Sequence, residues 1–450
     1  MKNLKIAILL GISSFVGYSQ DHFSGISTSN RVGILNGILN PAEYSNLSKK
    51  FEVNLYGISI DINNNKIGFS DLTSNNNLQD LIFKGKDPVN LNFDGQIVGP
   101  SVAIKLLKWG FAITTKANLK FDLMNIDPNI GNAINNNNIG AALTVFNNNF
   151  NQRLIGTSYG EVGFSIARPI IDNDKNSFSA GVTLKLLFPG SYSNFGLKDL
   201  NGTITQVGSA AYLTTNQPAN LNIAYSGSLA NSFSNFSDYT KSIYGGLNGI
   251  ASDIGFTYKW KDGPSKYKIK AGLAIRNIGS MTYKDNNNSS TNYILNIQPN
   301  SANPNGLNLN LFSNVNNLNN VENILYNNGY LTKINGQKDF KVNLPTLLTF
   351  YSDIKIASKI YITGYLQNKL KNDTNNNQIT ALNIVSVTPR INLGFFETYV
   401  PISNNQISGT TVGFGFRLGG FYLGSNSIIS SITSNAKQAD IYTGFRWSFL

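Results

Sequence analysis

The chain of 450 residues contains one histidine and no cysteine. That removes thiol nucleophiles, disulfides, thiolate zinc sites and iron–sulfur clusters. A Ser-His-Asp arrangement would have to use His22, close to the start of the chain, and a histidine metal site would lack its second histidine. Two motifs imitate sites. Asp172-Asn173-Asp174-Lys175-Asn176 opens like a calcium loop, but Ser177 and Thr183 stand where such a loop needs Gly and Glu. A hairpin turn is expected there instead. Gly413-Phe414-Gly415 imitates a nucleotide-binding turn, yet no helical pattern follows it. Neither enzyme chemistry nor a cofactor is expected. What remains is charge: 36 Lys+Arg against 24 Asp+Glu, a formal +12. The cations are spread thinly among Asn, Ser and Gly, with no basic run. This points to lumen, loop and anionic-lipid electrostatics and away from nucleic acid.

The elements that carry these charges alternate with period two. In Tyr267 to Arg276, the residues Tyr267, Ile269, Ala271, Leu273 and Ile275 oppose Lys268, Lys270, Gly272, Ala274 and Arg276. Just before it, Ile254, Phe256, Tyr258 and Trp260 oppose Asp253, Gly255, Thr257 and Lys259, and Asp262-Gly263-Pro264 makes the turn. Trp260 and Tyr267 flank that turn, where an interfacial aromatic girdle would lie. Segments 178–186 and 411–418 repeat the pattern. Charged residues are only 13% of the chain, against roughly 25% in soluble domains. A lysine turned to lipid near mid-depth would cost about 2–4 kcal/mol. The polar faces therefore look inward, and Asp253, Lys259, Lys268, Lys270, Arg276, Arg417 and Arg446 are candidate lumen-facing residues. The expectation is that the cations pair with Asp253 and Asp440; the alternative is that they favour anionic ligands or carboxylate head groups.

The fold class expected is thus all-β, an antiparallel transmembrane barrel. Residues 1–19 read as a secretory signal, with Lys2 and Lys5 before an apolar run and small residues at Gly17 and Ser19. No later segment has the apolar length of a transmembrane helix, so a closed barrel is the remaining way to span. Short turns and long loops alternate in such barrels. Counting on that basis places strands at 51–62, 96–107, 110–121, 154–168, 177–188, 248–261, 265–277, 343–356, 359–370, 378–388, 390–401, 406–418, 420–427 and 437–450. The total is fourteen, with twelve or sixteen as alternatives. Long Asn-rich loops fall at 63–95, 122–153, 189–247 and 278–342. Within the third, 220–227 could add a strand whose partner the sequence does not identify. The even count leaves both ends in the periplasm.

Residues 20–50 precede the barrel at 51–450. Val32, Ile34, Leu35, Ile38 and Leu39 need burial, and the lumen is the nearest place. Asn40-Pro41-Ala42 resembles the NPA motif of FadL-type hydrophobic-compound transporter barrels and of PorV-like barrels. Leu344-Pro345 resembles an LP element late in those families. Ile275-Arg276-Asn277-Ile278-Gly279 is similar to a strand ending of the PorV-like group. The layout most resembles a family of unknown function in Bacteroidota outer membranes. The resemblance implies a 14-stranded barrel with an N-terminal hatch, in which Asn40, Pro41 and Ala42 are hatch positions; no ligand-binding residues carry over. The last strand, with Phe445, Trp447 and Phe449 on one face, resembles the insertion signal read by the barrel-assembly machinery. It departs from that pattern in ending on Leu450.

Together these features imply an exported protein of a Gram-negative outer membrane, in contact with its lipid and assembly machinery. The function expected is uptake of small hydrophobic or amphipathic molecules. The alternative is a PorV-like secretion or surface-attachment component that docks a secreted protein.

Overall fold

The computed structural model describes residues 22–74, 77–136, 143–232, 236–240, 244–263 and 267–449. The expected signal peptide, Pro264 of the expected turn and Leu450 lie outside them. Fourteen antiparallel staves close into a barrel. Closure comes from the first strand, Phe51–Asn64, pairing with the last, Gln438–Phe449, from Phe51↔Phe449 to Asn63↔Gln438. The Phe51 and Phe449 rings stack on the outer face with centroids 5.5 Å apart.

The wall is inside-out relative to a soluble protein. Along Gly249–Lys261, Phe256 is 41% exposed while Asp253 is 2% exposed. Ile58, Ile60 and Ile62 are likewise exposed, and Ser59 and Asp61 buried. Apolar side chains outside and charged ones inside suit a ring surrounded by lipid, where the closed hydrogen-bond ladder leaves no strand edge unpaired. Among the described residues no helix is long and apolar enough to cross a membrane.

Several staves depart from the sequence reading. The expected turn at Pro389 lies inside the strand Ile384–Asn392, where Pro389 is paired with Ile362. The turn comes later, at Asn392-Leu393-Gly394: the Asn392 side chain accepts from the Gly394 amide at 2.9 Å, and Gly394 takes a φ of 88°. Asn277-Ile278-Gly279 does not end its strand, which runs from Tyr267 to Tyr283. Instead Asn277 forms a bulge with φ 59°, its amide donating to Asp253 at 2.6 Å. The turn at Asn173–Lys175 is a hairpin, with Asn173 accepting from the Lys175 and Asn176 amides.

The long connections are largely folded. The strand Asn176–Lys198 runs on past the wall. The added strand Ala219–Ser226 finds two partners, the end of that strand and Ser289–Leu295, which in turn pairs with Leu331–Gln337. A second sheet joins Leu143–Asn147, Asn201–Val207, Ala210–Thr215 and Leu307–Asn308. The helix Leu318–Asn327 sets Leu318 and Leu325 into a core with Ile204, Leu213, Ile223 and Tyr293. The asparagines hold this cap as well as turning it. A ladder of side-chain amides runs Asn194–Asn222–Asn292–Asn335, with links of 2.8, 2.9 and 2.7 Å across neighbouring strands.

Candidate functional site

Residues 22–50 lie inside the ring, bonded to walls on opposite sides. The helix Gly33–Leu39 forms because a strand supplies its cap. Glu52 accepts from the Gly33 amide at 3.2 Å and the Ile34 amide at 2.8 Å, and its carboxylate is itself paired with Arg446 at 2.8 Å. A buried carboxylate facing free amides at a helix start satisfies groups that would otherwise be orphaned. Asn40 then stops the helix and caps the next one, Pro41–Asn46, accepting from the Ala42 amide at 3.1 Å. The Asn40 amide donates to the Phe256 carbonyl at 2.9 Å.

This close approach to the wall depends on glycines. A Cβ at Gly255 would stand 2.0 Å from the Asn40 Oδ1, one at Gly181 2.5 Å from the Pro41 carbonyl carbon, and one at Gly110 2.1 Å from the Tyr44 oxygen. Three strands thus share a shallow track in which Asn40, Pro41 and Ala42 lie. Alternation had put glycine on the inward face; nothing in the sequence tied those positions to Asn40.

Glu43 follows, buried. Its Oε1 accepts from the Tyr351 hydroxyl at 2.5 Å and lies 3.1 Å from the Lys270 ammonium. Burial alone would raise its pKa; the Lys270 and Lys259 charges and the Tyr351 and Lys270 hydrogen bonds outweigh that and hold the carboxyl below its ordinary value. Further up the segment, Tyr442 donates to the Ser24 carbonyl at 2.7 Å, and Arg390 to the Gly25 carbonyl at 2.8 Å and the Thr28 hydroxyl at 2.9 Å. Ser29 donates to Glu397 at 3.0 Å, and Glu397 holds Arg390 at 3.1 Å and Arg417 at 3.2 Å.

Of the candidate lumen residues, Asp253, Lys270, Arg276, Arg417 and Arg446 are buried inside, and Lys259 is half-buried there. Lys268 is exposed outside, its ammonium over the Trp260 ring at 5.4 Å. The register shift between Trp260 and Lys261 moves the alternation by one, so Tyr267 turns inward and is buried, and Lys268 turns out beside the girdle. Asp253 pairs with Lys185, absent from the candidate set, at 2.8 Å. Asp440 bonds instead to Ser425, Ser427 and the Asn426 amide. Of the candidate cations, Lys270 pairs with Glu43, Arg446 with Glu52 and Arg417 with Glu397, and the first two of these carboxylates lie in or near the N-terminal segment. Phe445, Trp447 and Phe449 share the outward face of the last strand.

Beyond the segment, toward the long loops, a cavity of about 90 Å³ remains. Its floor is apolar, from Phe23, Leu35, Ile38 and Leu39. Its walls are charged: Glu161 lies 2.8 Å from Lys116 and 3.6 Å from Lys185, Lys120 is paired with Asp94, and His22 bridges Asp94 and Ser59 at 3.0 Å each. Over it folds a loop spanning 370–383. Arg153, fully buried, donates to the carbonyls of Asp373, Asn376 and Gln378 and to the Asn194 side chain. Thr380 of that loop donates to Asp122. No group of three or more His, Asp or Glu side chains suited to a metal occurs among the described residues.

A fourteen-stranded antiparallel β-barrel, with an N-terminal segment hydrogen-bonded to its inward-facing side chains, is the class that the geometry defines. The chain belongs to the family described as Family of unknown function (DUF5723), whose model matches residues 41–426. No curated protein matches it in sequence. Among solved structures it is similar to the Ralstonia pickettii toluene transporter TbuX, at 12% identity and a TM-score of 0.41, over 93% of this chain and 95% of that one. It is also similar to the Pseudomonas putida toluene transporter TodX, at 9% identity and 0.43, over 95% and 97%. A Pseudomonas aeruginosa FadL homologue gives 9% and 0.38, over 96% and 98%.

Proposed function

We propose that the protein is an outer-membrane barrel that admits small amphipathic molecules past an N-terminal plug, residues 22–50. The observation that carries the reading is the segment's placement across the lumen, where it is bonded to opposite walls. A passive tail would need neither the glycine track nor the carboxylates that seat it. The cavity above it offers an apolar floor and charged walls, which suits a molecule with one apolar and one polar end better than a pure hydrocarbon. Export through a cleaved signal, and reading of Phe445, Trp447 and Phe449 by the assembly machinery, belong to the same proposal. Deleting residues 24–45 should raise single-channel conductance in planar bilayers; an unchanged conductance would count against a plug.

A second reading draws on the folded cap. Its core and amide ladder make a fixed surface above the membrane, which could hold a protein partner. Mass spectrometry of what co-purifies on gentle extraction separates the two. A stoichiometric small amphipath supports passage, and a stoichiometric secreted protein supports docking.

A further inference from the structure

The opposite face of the plug opens on the short-turn rim as a cleft of about 710 Å³, and its charge is one-sided. Seven cationic side chains line it, those of Arg31, Lys105, Lys259, Lys261, Lys355, Lys359 and Arg390, against one carboxylate, Asp172. Three of the seven are compensated. Lys261 pairs with Asp172 at 2.6 Å, Lys355 with Asp262 at 2.8 Å, and Arg390 with Glu397 at 3.1 Å. The other four, Arg31, Lys105, Lys259 and Lys359, have no ion pair within 4 Å among the described residues. They converge from four separate elements: the plug, the strand Ser101–Leu106, the strand Gly249–Lys261 and the turn after Ala357.

The rest of the lumen follows another rule. Inside the barrel Lys116, Lys120, Lys185, Lys270, Arg417 and Arg446 each face a carboxylate. Apart from Arg153, which bonds carbonyls, the cations without a carboxylate within 4 Å are therefore concentrated in this cleft, where low-dielectric walls focus the field and Glu43 lies near enough to Lys259 to sense its charge. From these observations we propose that the cleft binds a small, multiply charged phosphate-bearing anion. A single carboxylate would leave most of the four cations unmatched. The mixture of one guanidinium fork with three ammonium groups suits the tetrahedral oxygens of phosphate. The volume is that of a small-molecule site. The ring of strand ends stands between the cleft and the lipid-facing surface, which favours a soluble ligand over a lipid head group. This inference concerns equilibrium binding and does not depend on anything passing the plug.

The test is isothermal titration of the full-length barrel in zwitterionic detergent with tripolyphosphate, at an ionic strength held near about 0.15 M so that bulk screening is constant. The expected result is saturable one-site binding. The Arg31→Gln/Lys359→Gln variant, altered at two exposed positions, should weaken it by roughly tenfold or more. Lys338→Gln, on the opposite rim, should leave it unchanged. Displacement by phosphatidylglycerol would assign the same site to a lipid head group, and failure of that competitor would assign it to a soluble anion. Non-saturating heats, equal weakening by Lys338→Gln, or sulfate binding as tightly as tripolyphosphate would reduce the cleft to an ion atmosphere and overturn the proposal.

Discussion

Two segments lie in and over this barrel, and they are held by different chemistry. The N-terminal segment, 22–50, is seated by ions: Glu43 on Lys270, Glu52 on Arg446, and Ser29 on the Glu397 that joins Arg390 to Arg417. The loop at 370–383 is seated mostly by neutral groups, its carbonyls gathered on Arg153 and its Asn376 carbonyl accepting from Tyr192 at 2.8 Å. In the first, both charges of each pair are buried, so losing one strands the other. In the second, the guanidinium spends its donors on carbonyls and on Asn194, and losing it leaves neutral acceptors and no stranded charge. Strength should differ accordingly, and so should reach: failure at the ionic seat spreads into the wall, whereas failure at the loop stays local.

The largest expected effect tests the ionic seat. Glu397→Ala leaves Arg390 and Arg417 buried without their shared carboxylate, although Asp353 remains 3.6 Å from Arg390. A loss of roughly 3–5 kcal/mol in barrel stability is expected, read by urea unfolding in lipid vesicles. A loss below 1 kcal/mol, on the order of a surface pair, would erase the contrast with the loop. The smaller effect tests the neutral seat. Arg153→Met should free the loop at a cost of about 2 kcal/mol in local opening, seen as faster hydrogen exchange at residues 373–380. Exchange in the wall strands should be unaffected; if they loosen too, the loop is part of the wall and the contrast fails.

The sequence made the wall legible and the closures much less so. Alternation carries from one residue to the next, so the strand count and the inward set emerged from local pattern. Register irregularities are where that pattern breaks, and they account for Lys268, Tyr267 and Asn277: one extra residue reverses every face beyond it. Position 389 is the short connection that the alternation of short turns and long loops places between 378–388 and 390–401, while the Asn392-Leu393-Gly394 signal three residues on is the true turn. Polar partners were harder, because the Glu43–Lys270 ion pair and the Ser29–Glu397 hydrogen bond join positions hundreds of residues apart, and only closure of the ring brings them together. The asparagines had a further use that composition hides. Asn at turns and Asn in a cross-strand ladder look alike until the strands that carry Asn194, Asn222, Asn292 and Asn335 are aligned.

The finest way to separate the two closures is pH, because their carboxyls are shifted in opposite directions. Glu43 is held below its ordinary 4.5 although burial pushes it up, since Lys270 and Lys259 and its hydrogen bonds favour the charged form. Its folded pKa is the lower one, so its contribution to seating is complete above about 4.5 and is lost as pH falls through the depressed value. Asp373, in the outer loop, is raised above its ordinary 3.8, chiefly by burial, with Lys369 at 2.5 Å offsetting only part. Its folded pKa is the higher one, so its contribution is complete below 3.8 and is lost as pH rises through the raised value. Moving from pH 6 to pH 3 should therefore loosen the plug and tighten the outer loop. Limited proteolysis at the two segments, compared at those pH values with an acid-active protease, reads both at once. Glu43→Gln should flatten the response of the plug while leaving that of the loop, and Asp373→Asn should do the reverse. Parallel loosening of both segments in acid would mean that one shared network, and not two independent seats, closes the barrel.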